Sequence, residues 1–214
     1  MSIRAKICGL STPEAVDAAV AGGASHAGFV FYPPSPRNLT PAAAAGLIAR
    51  LPGHVTPVAL VVDADDAAIE AILAAAPVKI IQAHGRETPE RVAAIGSRFG
   101  LPVMKAVGIA GPEDVAIAHA HEVVADLLLL DAKPPKKGLP GGNGLVFDWQ
   151  LIAGEAWKKP WFLAGGLTPD NVTLAIRTAG APAVDVSSGV ERAPGVKDLD
   201  LIAAFLAAVA SVEG

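Results

Sequence analysis

The sequence predicts a compact α/β protein, a closed (β/α)8 TIM barrel of eight parallel strands. Three observations point there. Eight short apolar runs of strand length recur: "AKICG", "HAGFVFY", "TPVALVV", "VKIIQAHG", "LPVMKAV", "DLLLLDAK", "PWFLAGG" and "AVDVSSG". Alanine-rich segments of helical length separate them. Those segments open on a repeated start signal, a capping residue often followed by proline. Such alternation implies a parallel sheet with right-handed crossovers, and eight units close it into a barrel. The chain, at 214 residues, is short for this fold, whose usual length is ~250 residues. A doubly wound open sheet is the runner-up, but no G-x-G-x-x-G follows the first strand. No linker or low-complexity segment divides the chain, so residues 1–214 are expected to form one domain.

Taken in order, each run is mostly apolar, as a strand buried on both faces must be. Thr12-Pro13 opens the helix of the first unit, Thr40-Pro41 that of the second and Thr88-Pro89 that of the fourth. Each places an N-cap hydroxyl before a proline whose missing N–H is not needed. Asp65 caps the third helix, and Gly111-Pro112 is a weaker start for the fifth. Asp148 is expected to cap the sixth helix, Thr168-Pro169 to open the seventh and Asp198 to cap the eighth.

A barrel of this kind carries its site at the C-terminal ends of the strands. Alternation in "AKICG" puts Lys6 and Cys8 on one face and Ile7 on the other. With Ile7 toward the helices, Lys6 and Cys8 point into the barrel. A buried lysine needs an anion. Asp185, between Val184 and Val186 on the neighbouring last strand, is in reach, whether as a purely structural ion pair or as part of the site. Arg37 follows a proline-stiffened loop, "FYPPSPR". It is either a surface arginine or a guanidinium positioned for a carboxylate. Gln82 and His84 share inward parity on the fourth strand; a packed core histidine is the alternative for His84. With Asp185, these three are the candidate substrate contacts.

Asp131 ends the run "LLLLD" at the barrel mouth. The loop behind it, residues 132–146, is the longest in the chain, rich in glycine and carrying Lys136 and Lys137. A long loop over a barrel mouth reads as a lid. The last two units end in "AGGLTPDN" and "SSGVERAPGVKD". Gly165, Gly166, Ser187, Ser188 and Gly189 are there the candidates for holding a phosphate, with ordinary β-to-α turns as the alternative.

Composition narrows the partners. The net charge of −4 gives no reason to expect nucleic-acid binding. One cysteine excludes an intramolecular disulfide and a cysteine-rich metal site. A lone cysteine is usually a small buried hydrophobe. His26, His54, His84, His119 and His121 share no rim, so no metal is expected. No apolar run reaches membrane-spanning length and no signal-peptide h-region opens the chain, so a cytoplasmic location is expected.

The chain resembles phosphoribosylanthranilate isomerase, an enzyme family of tryptophan biosynthesis. The resemblance rests on "KICG", "GFVFYPPSPR", "QAHG", "LLLLDAK…GGNG…FDW", "LAGGLTPDNV" and "VDVSSGVE…GVKD", in this order. Two departures stand out: Ala83 where the family usually has a bulkier apolar residue, and Asn143 where a hydroxyl residue is common. The resemblance implies an Amadori rearrangement of N-(5-phosphoribosyl)anthranilate to 1-(2-carboxyphenylamino)-1-deoxyribulose 5-phosphate. It implies Cys8 as general base, Asp131 as general acid, no cofactor, and a monomer or homodimer acting on a small phosphorylated substrate. Lys6 is then the expected cation that lowers the Cys8 pKa. Three rivals share the fold class: an indole-forming synthase, which would need more rim carboxylates and lysines; a bifunctional sugar isomerase, expected to carry aspartate at the end of strand 1; and a non-catalytic phosphometabolite sensor, which would need no Cys8–Asp131 pair.

Overall fold

The computed structural model describes residues 2–133 and 146–212. The lid assigned to residues 132–146, with Lys136, Lys137 and Asn143, falls almost wholly outside the described residues.

The eight expected strands are present: β1 Arg4–Cys8, β2 His26–Phe31, β3 Thr56–Val61, β4 Ile80–Ala83, β5 Val103–Ile109, β6 Leu127–Ala132, β7 Trp161–Leu163 and β8 Ala183–Val186. They pair in sequence order and close into a barrel through β8 and β1. All barrel pairs are parallel, and the closing register sets Lys6 beside Asp185. A short antiparallel hairpin, β9 Glu191–Ala193 and β10 Val196–Lys197, follows β8. The sequence reading did not contain it.

Seven α-helices cover the barrel among the described residues: α1 Pro13–Ala21, α2 Pro41–Ile48, α3 Asp66–Ala75, α4 Pro89–Phe99, α5 Pro112–Glu122, α6 Val172–Ala179 and α7 Leu199–Ala210. Thr12, Thr40 and Thr88 cap as expected, each hydroxyl accepting from the third residue beyond at 3.2–3.3 Å. Asp65 and Asp198 do the same for α3 and α7. At α5 the glycine has no side chain to cap with, and Asp114 reaches back instead to accept from the Ala110 and Gly111 N–H groups.

Two expected starts differ. Asp148 caps only a 3₁₀ turn, Trp149–Leu151, so among the described residues the sixth unit has no α-helix. The segment after Thr168-Pro169 becomes helical only at Val172. The reason lies in Asn171, whose carbonyl accepts from Thr168 N–H at 2.8 Å while its amide donates to Gly166 O at 2.9 Å. This clasp shapes residues 166–171 as a loop before the first helical turn.

Strand parity sorts the side chains as expected. Ile7, Ala83, Val184 and Val186 belong to the large core between strands and helices. Inside the barrel, Val58, Ile80, Met104, Ala106, Leu129, Phe162, Ala164 and Ala183 form a second apolar cluster. Phe162 is fully buried there, and burying such a side chain contributes about 1.5–3 kcal/mol. Above this filling the interior turns polar, and that end carries the βα loops.

Candidate active site

β1 delivers two inward side chains. Lys6 Nζ donates to Asp185 Oδ1 at 2.8 Å, and Lys6 is wholly buried. Burial disfavours the ammonium, but the Asp185 carboxylate and the adjacent Cys8 outweigh it, so the Lys6 pKa lies above the usual lysine value. Cys8 is also buried, packed with Val30 and Leu60. Its surroundings leave no room for a side chain at position 28. A Cβ on Gly28 would stand 2.9 Å from Cys8 Sγ and 3.0 Å from Lys6 Nζ.

Lys6 pulls the Cys8 pKa down as expected, but the net shift is upward. Burial pushes the thiol up and is the largest influence. Lys6 and, more weakly, Lys197 pull it down, but Asp185 adds to the rise. The pull of Lys6 is the largest on the thiolate's side, but burial together with the Asp185 carboxylate outweighs it.

Arg37 is buried and not a surface arginine. Its stem passes over Gly9, where a Cβ would lie 2.5 Å from Arg37 Cδ; Gly9 also has φ +76°, a conformation suited to glycine. The guanidinium Nε and Nη2 donate to the two carboxylate oxygens of Glu191 at 2.8 and 2.7 Å. Its Nη1 has no hydrogen-bond partner among the described residues. Glu191 Oε1 also accepts from Lys197 Nζ at 2.8 Å, and Oε2 from Gly195 N–H at 3.1 Å. Burial opposes ionisation of Glu191, but Arg37 and Lys197 outweigh it and hold the carboxylate below its usual range. Lys197 shifts downward, burial exceeding the pull of Glu191. Glu191 and Lys197 were not among the sequence candidates; their only signal was two charges in "GVERAPGVKD" after the last strand.

On the opposite wall, Gln82 is fully buried, and its Nε2 lies 2.8 Å from His84 Nδ1. His84 Nε2 is in turn 3.3 Å from Asp131 Oδ2. Asp131 Oδ1 accepts from the N–H of Ala132 at 2.8 Å. Gln82 Oε1 is buried with no partner among the described residues. Gly165, at φ +86°, closes this corner: a Cβ there would lie 2.4 Å from Ala132 N and 3.0 Å from Asp131 Oδ1.

The two glycine-containing loops meet at the mouth. Gly166 has φ +60°, and a Cβ on Gly189 would overlap the carbonyl of Leu167 at 1.8 Å. The loop after β8 is therefore seated against the loop after β7. Ser187 Oγ donates to the carbonyl of Cys8 at 3.2 Å, and Ser188 and Gly189 begin a 3₁₀ turn. The structure thus gathers Cys8, Arg37, Ser187 and Asp185 on the β8–β1–β2 side. Gln82, His84 and Asp131 gather on the β4–β6 side. Gly165 and Gly166 lie between. β7 and β8 separate β6 from β1 on the shorter path around the barrel, which sets the Asp131 side chain and the Cys8 thiol apart at one opening. Among the described residues no group of three or more His, Cys, Asp or Glu could hold a metal ion, and no helix is long and apolar enough to cross a membrane.

Comparison with known proteins finds relatives over almost the whole chain. The sequence model of N-(5′-phosphoribosyl)anthranilate (PRA) isomerase matches residues 5–208. The N-(5′-phosphoribosyl)anthranilate isomerase of Paracoccus denitrificans (strain Pd 1222) is 58% identical over 208 residues, covering 97% of both chains. That of Paramagnetospirillum magneticum is 53% identical over 209 residues, again covering 97% of each. The crystal structure of the Thermotoga maritima phosphoribosyl anthranilate isomerase superposes with a TM-score of 0.88 at 36% identity, covering 98% of this chain and all of that one. A phosphoribosyl anthranilate isomerase in complex with reduced 1-(o-carboxyphenylamino)-1-deoxyribulose 5-phosphate superposes with a TM-score of 0.86 at 34% identity, with the same coverage. A matched barrel and this identity along nearly the full length lead to one conclusion: the chain belongs to the N-(5′-phosphoribosyl)anthranilate isomerase family, the isomerases of tryptophan biosynthesis.

Proposed function

We propose that this barrel mouth carries out the family's Amadori rearrangement with Cys8 as general base and Asp131 as general acid. The observation that supports this most is their placement. Both sit at inward strand ends of one opening, on walls separated by the two phosphate-loop strands. Asp131 donates a proton to the furanose ring oxygen as the C1′–O bond breaks, and the anthranilate nitrogen lone pair forms the iminium. The Cys8 thiolate then removes the C2′ proton. The electron pair of that C–H bond moves back to the nitrogen through an enolamine, which tautomerises to the ketone. The substrate nitrogen is the electron sink, so the step needs no added cofactor.

Binding divides between the ends of the substrate. The backbone of Gly165, Gly166, Ser187, Ser188 and Gly189 receives the phosphate, and the edge of Arg37 not used by Glu191 receives the anthranilate carboxylate. His84 and Gln82 support Asp131 from behind, and Asp185 holds Lys6 beside the base. Residues 1–214 serve as one catalytic domain in the cytoplasm. A monomer or a homodimer fits the family, since the Thermotoga maritima isomerase is described as dimeric and its structure as that of monomers generated from it.

The test follows loss of the fluorescent anthranilate substrate. Cys8→Ala and Asp131→Asn are expected to lower kcat by at least ~10²-fold each while remaining folded. Near wild-type kcat in a folded Cys8→Ala variant would return that cysteine to simple packing. No consumption by the wild-type protein would favour a sensor barrel.

A further inference from the structure

The hairpin β9–β10 supplies two charged residues that neither the mechanism nor the phosphate loops use. Their side chains are almost fully buried, Glu191 at 3% and Lys197 at 2% exposure. Glu191 takes four donors: Arg37 Nε and Lys197 Nζ on one oxygen, Arg37 Nη2 and Gly195 N–H on the other. Lys197 Nζ goes further and donates to the carbonyl of Ser187 at 2.8 Å, with Ser187 Oγ at 3.4 Å. Ser187 Oγ then bonds the carbonyl of Cys8. The hairpin turn is pressed onto the proline-rich loop that carries Arg37: a Cβ on Gly195, at φ +80°, would lie 2.7 Å from Pro36 O. A continuous chain of short contacts therefore runs from the β2 loop through Glu191 and Lys197 to the β8 loop and the end of β1.

We propose that Glu191 and Lys197 are positioning residues for the isomerisation, coupling the carboxylate-binding Arg37 to the phosphate-binding loop at Ser187. Glu191 fixes the guanidinium plane from its Nε–Nη2 edge and leaves the other edge for the substrate. Lys197 holds the Ser187 carbonyl and so sets the backbone that follows it. With all three ionised, the cluster holds two cations and one anion, a buried surplus of positive charge between two anion-binding points. A purely structural ion pair would need no such surplus and no contact with both substrate loops. This inference rests on the reading of Arg37 as the carboxylate contact.

The experiment compares three variants by KM, kcat and inhibition by inorganic phosphate. Arg37→Ala tests the underlying reading: an unchanged KM there overturns the carboxylate role and the coupling with it. Glu191→Gln keeps the shape but loosens the fork, and KM should rise about 10- to 100-fold, with kcat changing less. Because that variant leaves two buried cations short of an anion, a double variant, Glu191→Gln with Lys197→Met, restores the charge balance and keeps the fold testable. It should melt near the wild type, yet show the raised KM together with weaker phosphate inhibition. If Arg37→Ala raises KM while the double variant, melting like the wild type, binds substrate and phosphate as the wild type does, Glu191 and Lys197 are structural only and the proposal fails.

Discussion

The β8–β1–β2 side of the mouth holds its charges in short buried pairs, whereas the β4–β6 side holds its acid loosely. On the first side Lys6 meets Asp185 at 2.8 Å, and Arg37 and Lys197 share Glu191 at 2.7–2.8 Å. On the second, His84 stands 3.3 Å from Asp131, both are partly exposed, and Gln82 Oε1 is unpartnered among the described residues. The difference matches the two tasks proposed for the walls. Groups that bind an anion work best when their geometry and charge are fixed before it arrives, because no reorganisation is then needed. A group that must give up a proton cannot be locked by a strong partner in one protonation state. Cys8 lies on the fixed side, yet its own sulfur is packed against Val30 and Leu60, an environment that favours the neutral thiol.

The largest effect is expected at the Lys6–Asp185 pair. Lys6→Met leaves Asp185 buried without its cation, and removing one partner of such a pair typically costs about 3–5 kcal/mol. Thermal or denaturant unfolding of the variant should show that loss; an unchanged melting temperature would mean that the fixed side is not held by this pair. The next effect is on acid stability. His26, at the base of the same wall, has its pKa lowered to about 4 by burial and by the neighbouring Lys6 and Arg4. Between the ordinary histidine value and about 4, the unfolded chain binds a proton that the folded one does not. Stability is therefore lost as pH falls through that window, by about 3 kcal/mol in all. A His26→Gln variant with the same acid sensitivity as wild type would remove this assignment.

Smaller again is the pH dependence of the base. With the Cys8 thiol pushed up by burial, the thiolate fraction in the free enzyme grows with pH, by about tenfold per unit below the pKa. The rate of Cys8 alkylation, which follows the thiolate alone, should climb by about tenfold per pH unit from about pH 6 to 8, and a flat rate over that range would mean a thiol already ionised and contradict a raised pKa. The mildest change sharpens the picture of the looser side. Thr88 caps the helix behind the His84 loop, and Thr88→Ala should cost ~1 kcal/mol of stability with kcat nearly unchanged.

Much of this was legible in the residues. Period-two alternation placed Lys6, Cys8 and Gln82 inside, and barrel closure made Asp185 the neighbour of Lys6, because both rules are local or topological. Thr-Pro starts worked at α1, α2 and α4 since a cap needs only its own turn. They failed at Thr168, where Asn171 closes a side-chain clasp that no spacing rule contains. The Arg37–Glu191 fork was invisible for a different reason. Its partners lie 154 positions apart, and an acidic residue in a loop carries no mark of which distant cation it will meet. The Cys8 thiol was misjudged because a nearby lysine is readable in sequence, while the cost of burying the thiolate, which outweighs that lysine, is set by the packing of the folded site.

The division of labour between the two walls is tested most directly by measuring, in the same variants, kcat and the affinity for reduced 1-(o-carboxyphenylamino)-1-deoxyribulose 5-phosphate. Asp131→Asn should bind this product analogue nearly as the wild type does, with kcat down by at least ~10²-fold. Arg37→Ala should do the reverse, losing affinity about 10-fold or more while kcat falls far less. If Asp131→Asn loses affinity and turnover together, or Arg37→Ala leaves binding intact, the walls do not divide binding from chemistry and the account is wrong.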